Sequence, residues 1–134
     1  MSTTATGKKV LVLHGTQPSG TTAQTPAMER RPGIDKNIAG ASKIFPGLVT
    51  CHANQIGPPH THGEAETAAY ILSGRQKVWF GEDFKEWVEA GPGDFIFVPA
   101  DFPHIEGNPF DEPCEVVLSR GPDNIVINLP ELDK

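Results

Sequence analysis

Little in this chain would build a helical or membrane-spanning protein. No apolar run approaches the ~20 residues of a bilayer span, and no apolar stripe at helical spacing outlasts two turns. Cysteine is scarce. Cys51 and Cys114 stand far apart and neither belongs to a C-x-x-C pair, so they read as buried or half-buried thiols rather than a disulfide framework. Positive charge is also short, with 11 basic residues against 17 acidic ones and a net charge of −6. The basic pairs Lys8-Lys9 and Arg30-Arg31 are too short to form a phosphate-binding face and read as solvated surface. That balance argues against nucleic acid and anionic membrane as partners. There is no Gly-rich phosphate loop, no G-x-S-x-G elbow and no glycosidase-type carboxylate pair, so nucleotide-binding and hydrolase readings have nothing to rest on. The first nine residues lack the apolar core of a signal peptide and 10–13 is too short to supply one, which makes the cytoplasm the expected compartment.

Turn chemistry, by contrast, is plentiful. The 14 glycines and 13 prolines fall mostly between short apolar runs, the punctuation of an all-β fold. The length suits one domain. Residues 1–9 read as a disordered tail. Residues 10–42 read as an N-terminal arm over the body of the domain or a partner subunit, with an edge strand at 10–13 and another strand near 41–44. Further strands are expected near 48–56, 59–62, 67–73, 76–81, 85–89, 95–98, 103–106, 114–120 and 124–128. Their turn signals recur every ~8–12 residues, a spacing that suggests a sandwich or barrel.

The informative cluster is His60-Thr61-His62. In a strand, positions i and i+2 face the same way, so these imidazoles converge on one side. Imidazole is the commonest protein ligand for metals. Glu64 and Glu66 follow closely, and His104 comes after a later strand framed by glycine and proline. Other candidates carry blander readings. His52 reads as a partly buried structural histidine and His14 as surface. Tyr70, Trp79, Phe95 and Phe97 read as barrel packing, with one or two lining a pocket, and Arg75 and Gln76 as solvent-facing. Cys51 has no base facing it and receives no catalytic role.

Residues 57–74 resemble the first cupin motif, H-x-H followed by a glutamate and a glycine. Residues 93–108 resemble the second, with Gly93, Pro99, His104 and Asn108 at the family's spacings. Three positions depart from the pattern. Asn54 and Asp101 stand where the family has glycine, and counting back from Gly74 puts the family's glutamate on Thr67, whereas counting forward from His62 reaches Glu66. A one-residue slip reverses the face a side chain occupies. Either a bulge turns Glu66 inward, the reading favoured here, or the strand is regular and Thr67 faces in.

The resemblance covers about residues 43–130 and implies an all-β fold, a cupin-type double-stranded β-helix or jelly-roll barrel of six to eight main strands with an N-terminal arm. The domain would then span 10–134. It implies one divalent metal ion on His60, His62, Glu66 and His104, with Fe(II) or Mn(II) favoured and Zn, Ni or Cu possible. The function it favours is a non-haem metal-dependent enzyme of dioxygenase type acting on a small oxygenated organic compound. An isomerase or lyase, or a non-catalytic module that binds a small ligand or metal, are the alternatives. Cupins of this size are also expected to pair as homodimers.

Overall fold

A computed structural model describes residues 8–15 and 24–133. In chain order the elements are β1 (Met28–Pro32), the single-turn α1 (Lys36–Ala39), β2 (Phe45–Cys51), β3 (Gln55–Ile56), β4 (His60–Thr61), β5 (Glu66–Ser73), β6 (Gln76–Phe80), β7 (Glu86–Ala90), β8 (Phe95–Val98), β9 (Ile105–Asn108), β10 (Cys114–Gly121) and β11 (Ile127–Asn128). They build a five-stranded sheet ordered β1-β2-β10-β5-β8, a four-stranded sheet ordered β3-β9-β6-β7 and a two-stranded ribbon of β11 and β4. All the pairings are antiparallel. This is the all-β architecture expected from the turn spacing.

Alternation along the strands makes the core. In β5, Thr67, Ala69 and Ile71 are buried while Glu66, Ala68 and Leu72 are exposed. In β10 the buried set is Cys114, Val116, Leu118 and Arg120, and in β2 it is Phe45, Gly47, Val49 and Cys51. These strands meet Met28, Ala90 and the half-buried Ile96 in one apolar cluster. Cys51 and Cys114 sit opposite each other across β2 and β10, and both thiols are free and buried. Gly74 closes the β5–β6 turn at φ 76°, where a side chain would also run into the Pro113 carbonyl.

The amino-terminal third differs from the expectation. No strand forms at 10–13, where Val10 is 95% exposed, nor at 41–44. The strand lies instead at Met28–Pro32, on the edge of the five-stranded sheet against β2. It is hard to see in the sequence because Arg30 and Pro32 occupy its buried positions beside Met28. On the outer face Arg31 ties the edge down, through Thr50 at 2.8 Å, Glu29 at 3.1 Å and Glu115 at 3.3 Å. The expected tail lies almost wholly outside the described residues.

Phe95 and Phe97 correct a second expectation. At 78% and 63% exposed, neither packs the interior, although Phe97 does line an apolar cleft, as expected for one or two of these aromatics. Tyr70 stacks on Phe95 with ring centroids 4.9 Å apart.

Asn108 shows how the cupin-like motif serves the fold. Its buried amide donates to the Cys51 carbonyl at 3.1 Å and the Glu112 carbonyl at 2.6 Å, while its oxygen accepts from the Phe110 amide at 3.0 Å. Asn108→Ala would strand those backbone groups in the interior, at ~1–3 kcal/mol for each unsatisfied group. A loss of about 3 kcal/mol in urea unfolding is expected, with metal content at the histidine cluster unchanged.

Candidate metal centre

His60 lies in β4, His62 one residue past its end, and His104 just before β9, bridged to His60 by reciprocal backbone hydrogen bonds of 3.0 Å. The local geometry depends on two left-handed residues where the cupin pattern has glycine, Asn54 at φ 59° and Asp101 at φ 53°. Asn and Asp tolerate that region better than most residues. The Asp101 amide donates to the Gly63 carbonyl at 2.6 Å, joining the two histidine-bearing loops.

All three imidazoles are buried, with ring centroids between 4.5 and 5.2 Å apart. Each Nδ1–H donates to a backbone carbonyl, His60 to Pro58 at 3.0 Å, His62 to Ile125 at 2.6 Å and His104 to Phe102 at 2.8 Å. A carbonyl can only accept, so these bonds hold a proton on each Nδ1 and turn each Nε2 inward.

The fourth group at the cluster is Glu106. Its Oε1 lies 2.9 Å from His104 Nε2, 3.2 Å from His60 Nε2 and 3.5 Å from His62 Nε2. Its Oε2 accepts from the Gln76 amide at 3.3 Å. His60, His62, His104 and Glu106 can each offer one ligand atom, all within 4.8 Å of one another. Nitrogen lone pairs and a carboxylate oxygen crowded together repel unless a proton or a cation sits among them. His62 Nε2, buried and without a hydrogen-bond partner, marks the deficit. The donor set therefore fits a divalent metal ion.

The electrostatics follow from this crowding. Burial would push the Glu106 carboxyl up, but the close imidazoles of His104, His60 and His62 outweigh it and hold it well below the usual carboxylate range. Burial lowers His62 to about 4, only partly opposed by Glu106. For His104 burial also acts downward, yet the close Glu106 bond and charge prevail and its pKa is raised.

Glu66 is not part of the cluster. β5 is regular at this end, so Thr67 faces inward and accepts a 2.7 Å hydrogen bond from Arg120 Nε, while Glu66 faces solvent. The β5–β10 ladder slips instead at Glu115/Val116, at its far end. The bulge favoured from the sequence is absent from this position. Three other residues depart from expectation. Arg30, read as solvated surface, is 1% exposed. Gln76, read as solvent-facing, is buried and orients Glu106. His52 is exposed rather than partly buried. Glu106 was detectable by the argument that paired His60 with His62, since it stands at i+2 from His104.

The cupin-domain family profile matches residues 47–120, and the chain belongs to that family. A search of curated proteins found no match. Solved structures similar to it include the polyketide cyclase RemF from Streptomyces resistomycificus, 23% identical over 91% of this chain and 85% of that one, with a TM-score of 0.70. An uncharacterised Klebsiella pneumoniae protein with a double-stranded β-helix domain is 16% identical over 85% of this chain and 91% of its own, at a TM-score of 0.62. Oxalate decarboxylase from Bacillus subtilis is 22% identical over 83% of this chain but only 30% of its own length, at a TM-score of 0.65. At these identities the likeness establishes the fold. Among the described residues no helix is long and apolar enough to cross a membrane.

Proposed function

We propose that this cupin is a metal-dependent enzyme of dioxygenase type acting on a small oxygenated organic compound, with His60, His62, His104 and Glu106 holding one divalent ion. The observation that carries the reading is the set of three Nδ1–H bonds to carbonyls, which turns every Nε2 toward one point beside a carboxylate. Three imidazoles and a carboxylate suit Fe(II) or Mn(II), with Zn, Ni and Cu also compatible. Such an ion would supply Lewis acidity toward a substrate oxygen or, as iron, activation of O₂. The protein's share is to orient the ligands through the Pro58, Ile125 and Phe102 carbonyls and to fix Glu106 through Gln76. An apolar cleft of about 220 Å³ reaches His104 past Phe80, Phe97 and Phe102 and offers a route for the substrate. Oxygen uptake by Fe(II)-loaded protein across a panel of small carbonyl and hydroxy compounds tests the reading. Substrate-dependent uptake that disappears in His104→Ala supports it. Turnover without uptake replaces it with an isomerase or lyase, and tight metal binding with no turnover replaces it with a non-catalytic binding module.

Metal binding should depend on pH with a definite sign. The pKa of His104 is raised by the close Glu106, so an ion competes with a proton for this imidazole and affinity rises with pH. His62, lowered to about 4, is already neutral and adds no slope above pH ~5. Metal titrations at successive pH values should show tighter binding with increasing pH through the neutral range; a flat profile would contradict the assignment. A homodimer remains part of the proposal, supported by the apolar outer surface of the five-stranded sheet, where Leu72, Phe95, Phe97 and Val117 are exposed. Light scattering at micromolar concentration should return twice the chain mass.

A further inference from the structure

The interior beside the histidines contains two arginines that the metal site does not use. Arg30 on β1 and Arg120 on β10 are 1% and 2% exposed. They line one small cavity with Thr67, Gln76, Glu106 and apolar side chains such as Val49 and Val116. Of the three charged groups lining it, two are guanidiniums and one is a carboxylate. Arg120 is held by neutral oxygens, Nε donating to Thr67 Oγ1 at 2.7 Å and Nη1 to Asn124 Oδ1 at 2.6 Å. Removing a guanidinium from water costs several kcal/mol unless anionic partners offset it. Coordination of a divalent ion would engage Glu106 and add two positive charges, so the lining would then carry +3.

From this arrangement we infer that the cavity between Arg30 and Arg120 is the head-group site for a small organic carboxylate, whose neighbouring oxygen faces the proposed metal ion. The inference rests on the metal-centre reading for the second anchor but not for the first. The guanidinium fork matches a carboxylate geometrically, and such charge-assisted bonds are about twice as strong as neutral ones. Size agrees as well. The cavity is about 20 Å³, room for roughly one or two waters or one carboxylate group by the same measure. Its walls Val78, Ile96 and Val98 also line the apolar cleft that reaches His104, so the charged head and the apolar body of a ligand have adjoining places. Electrostatics point the same way. Burial, reinforced by the nearby Arg30 and only partly opposed by Glu106, lowers Arg120 to about 9, a site where added negative charge would be welcome.

Pyruvate, which carries a carboxylate beside a carbonyl oxygen, is the probe, and methyl pyruvate is its uncharged counterpart. Calorimetric titration of the full-length Zn(II)-loaded protein should show pyruvate binding at least about tenfold more tightly than the ester. Arg120→Gln and Arg30→Gln should each weaken pyruvate by about tenfold or more, the loss expected for a charge-assisted hydrogen bond, with zinc content and ester binding unchanged. Arg120→Lys should recover only part of the affinity because it keeps the charge without the fork. If Arg120→Gln does not fold, Arg30→Gln and Arg120→Lys decide. Pyruvate binding that survives both glutamine variants, the absence of binding at millimolar pyruvate, or equal competition by chloride would each overturn the inference. A protein that takes up no zinc yet binds pyruvate through both arginines would refute the metal reading and leave this one standing.

Discussion

His60→Ala should abolish metal binding at stoichiometric concentrations while leaving a folded protein. Substitutions behind metal ligands already cost ~10–100-fold in affinity, so losing an imidazole ligand should cost more than a hundredfold. The carbonyl that orients His60 belongs to Pro58 in the preceding loop, whereas the apolar cluster is built from β2, β5 and β10 with Met28, Ala90 and Ile96. The ligands and the core are therefore largely separate. Thermal unfolding with and without a chelator separates metal binding from folding. Free metal at 100-fold over its Kd stabilises a native protein by ~2.7 kcal/mol, or roughly 10 °C in a domain of this size. The wild type should lose that increment when the chelator is added, and His60→Ala should melt at one temperature in both conditions. An equal chelator effect in the two proteins would show that the ion binds elsewhere. His104→Ala should behave in the same way.

The parts of this architecture that were legible in the sequence are those governed by local rules. Residues 66–73 and 114–121 are short runs rich in apolar and β-branched side chains with glycine at the turns that follow them, so the strands can be read directly, although which face of β5 points inward cannot. The histidine cluster follows from the cupin-like spacing of His60, His62 and His104. The sequence was misleading where tertiary context reverses a local preference. Arg30 looks solvated because arginine is almost never fully buried without a partner, and the carboxylate whose charge favours its charged form, Glu106, lies in another sheet. Gln76 follows a turn, where exposure is the ordinary outcome, yet the carboxylate across the interior draws it in. The Glu66 ambiguity arose from two counts that differ by one residue, which only the ladder register could resolve. That register pairs Thr67 with Arg120 and Glu66 with Gly121. The pairing also accounts for the threonine, whose hydroxyl accepts from a buried guanidinium where a carboxylate would have faced the same cavity.

Glu106→Gln should have the second large effect, and it should act in two directions at once. The variant keeps the side chain's size but removes its charge. Metal affinity should fall by about a hundredfold, because a neutral amide replaces the one anionic donor in the cluster. Stability of the metal-free protein should fall as well. Glu106 is the carboxylate lining the cavity with Arg30 and Arg120, its side chain is 13% exposed, and its hydrogen bonds reach His60, His104 and Gln76. Removing one member of a buried charge cluster costs ~3–5 kcal/mol because the remaining charges lose their compensation. Denaturant unfolding of the metal-free variant should therefore show a loss of about 3 kcal/mol, an effect that metal binding alone cannot produce. Glu66→Gln is the matched control. That carboxylate faces solvent at the start of β5, so its variant should match the wild type in both metal affinity and stability. If Glu66→Gln weakens metal binding and Glu106→Gln does not, the carboxylate ligand lies on β5 and the register argument fails. If both variants bind metal like the wild type, the centre is held by the three histidines alone.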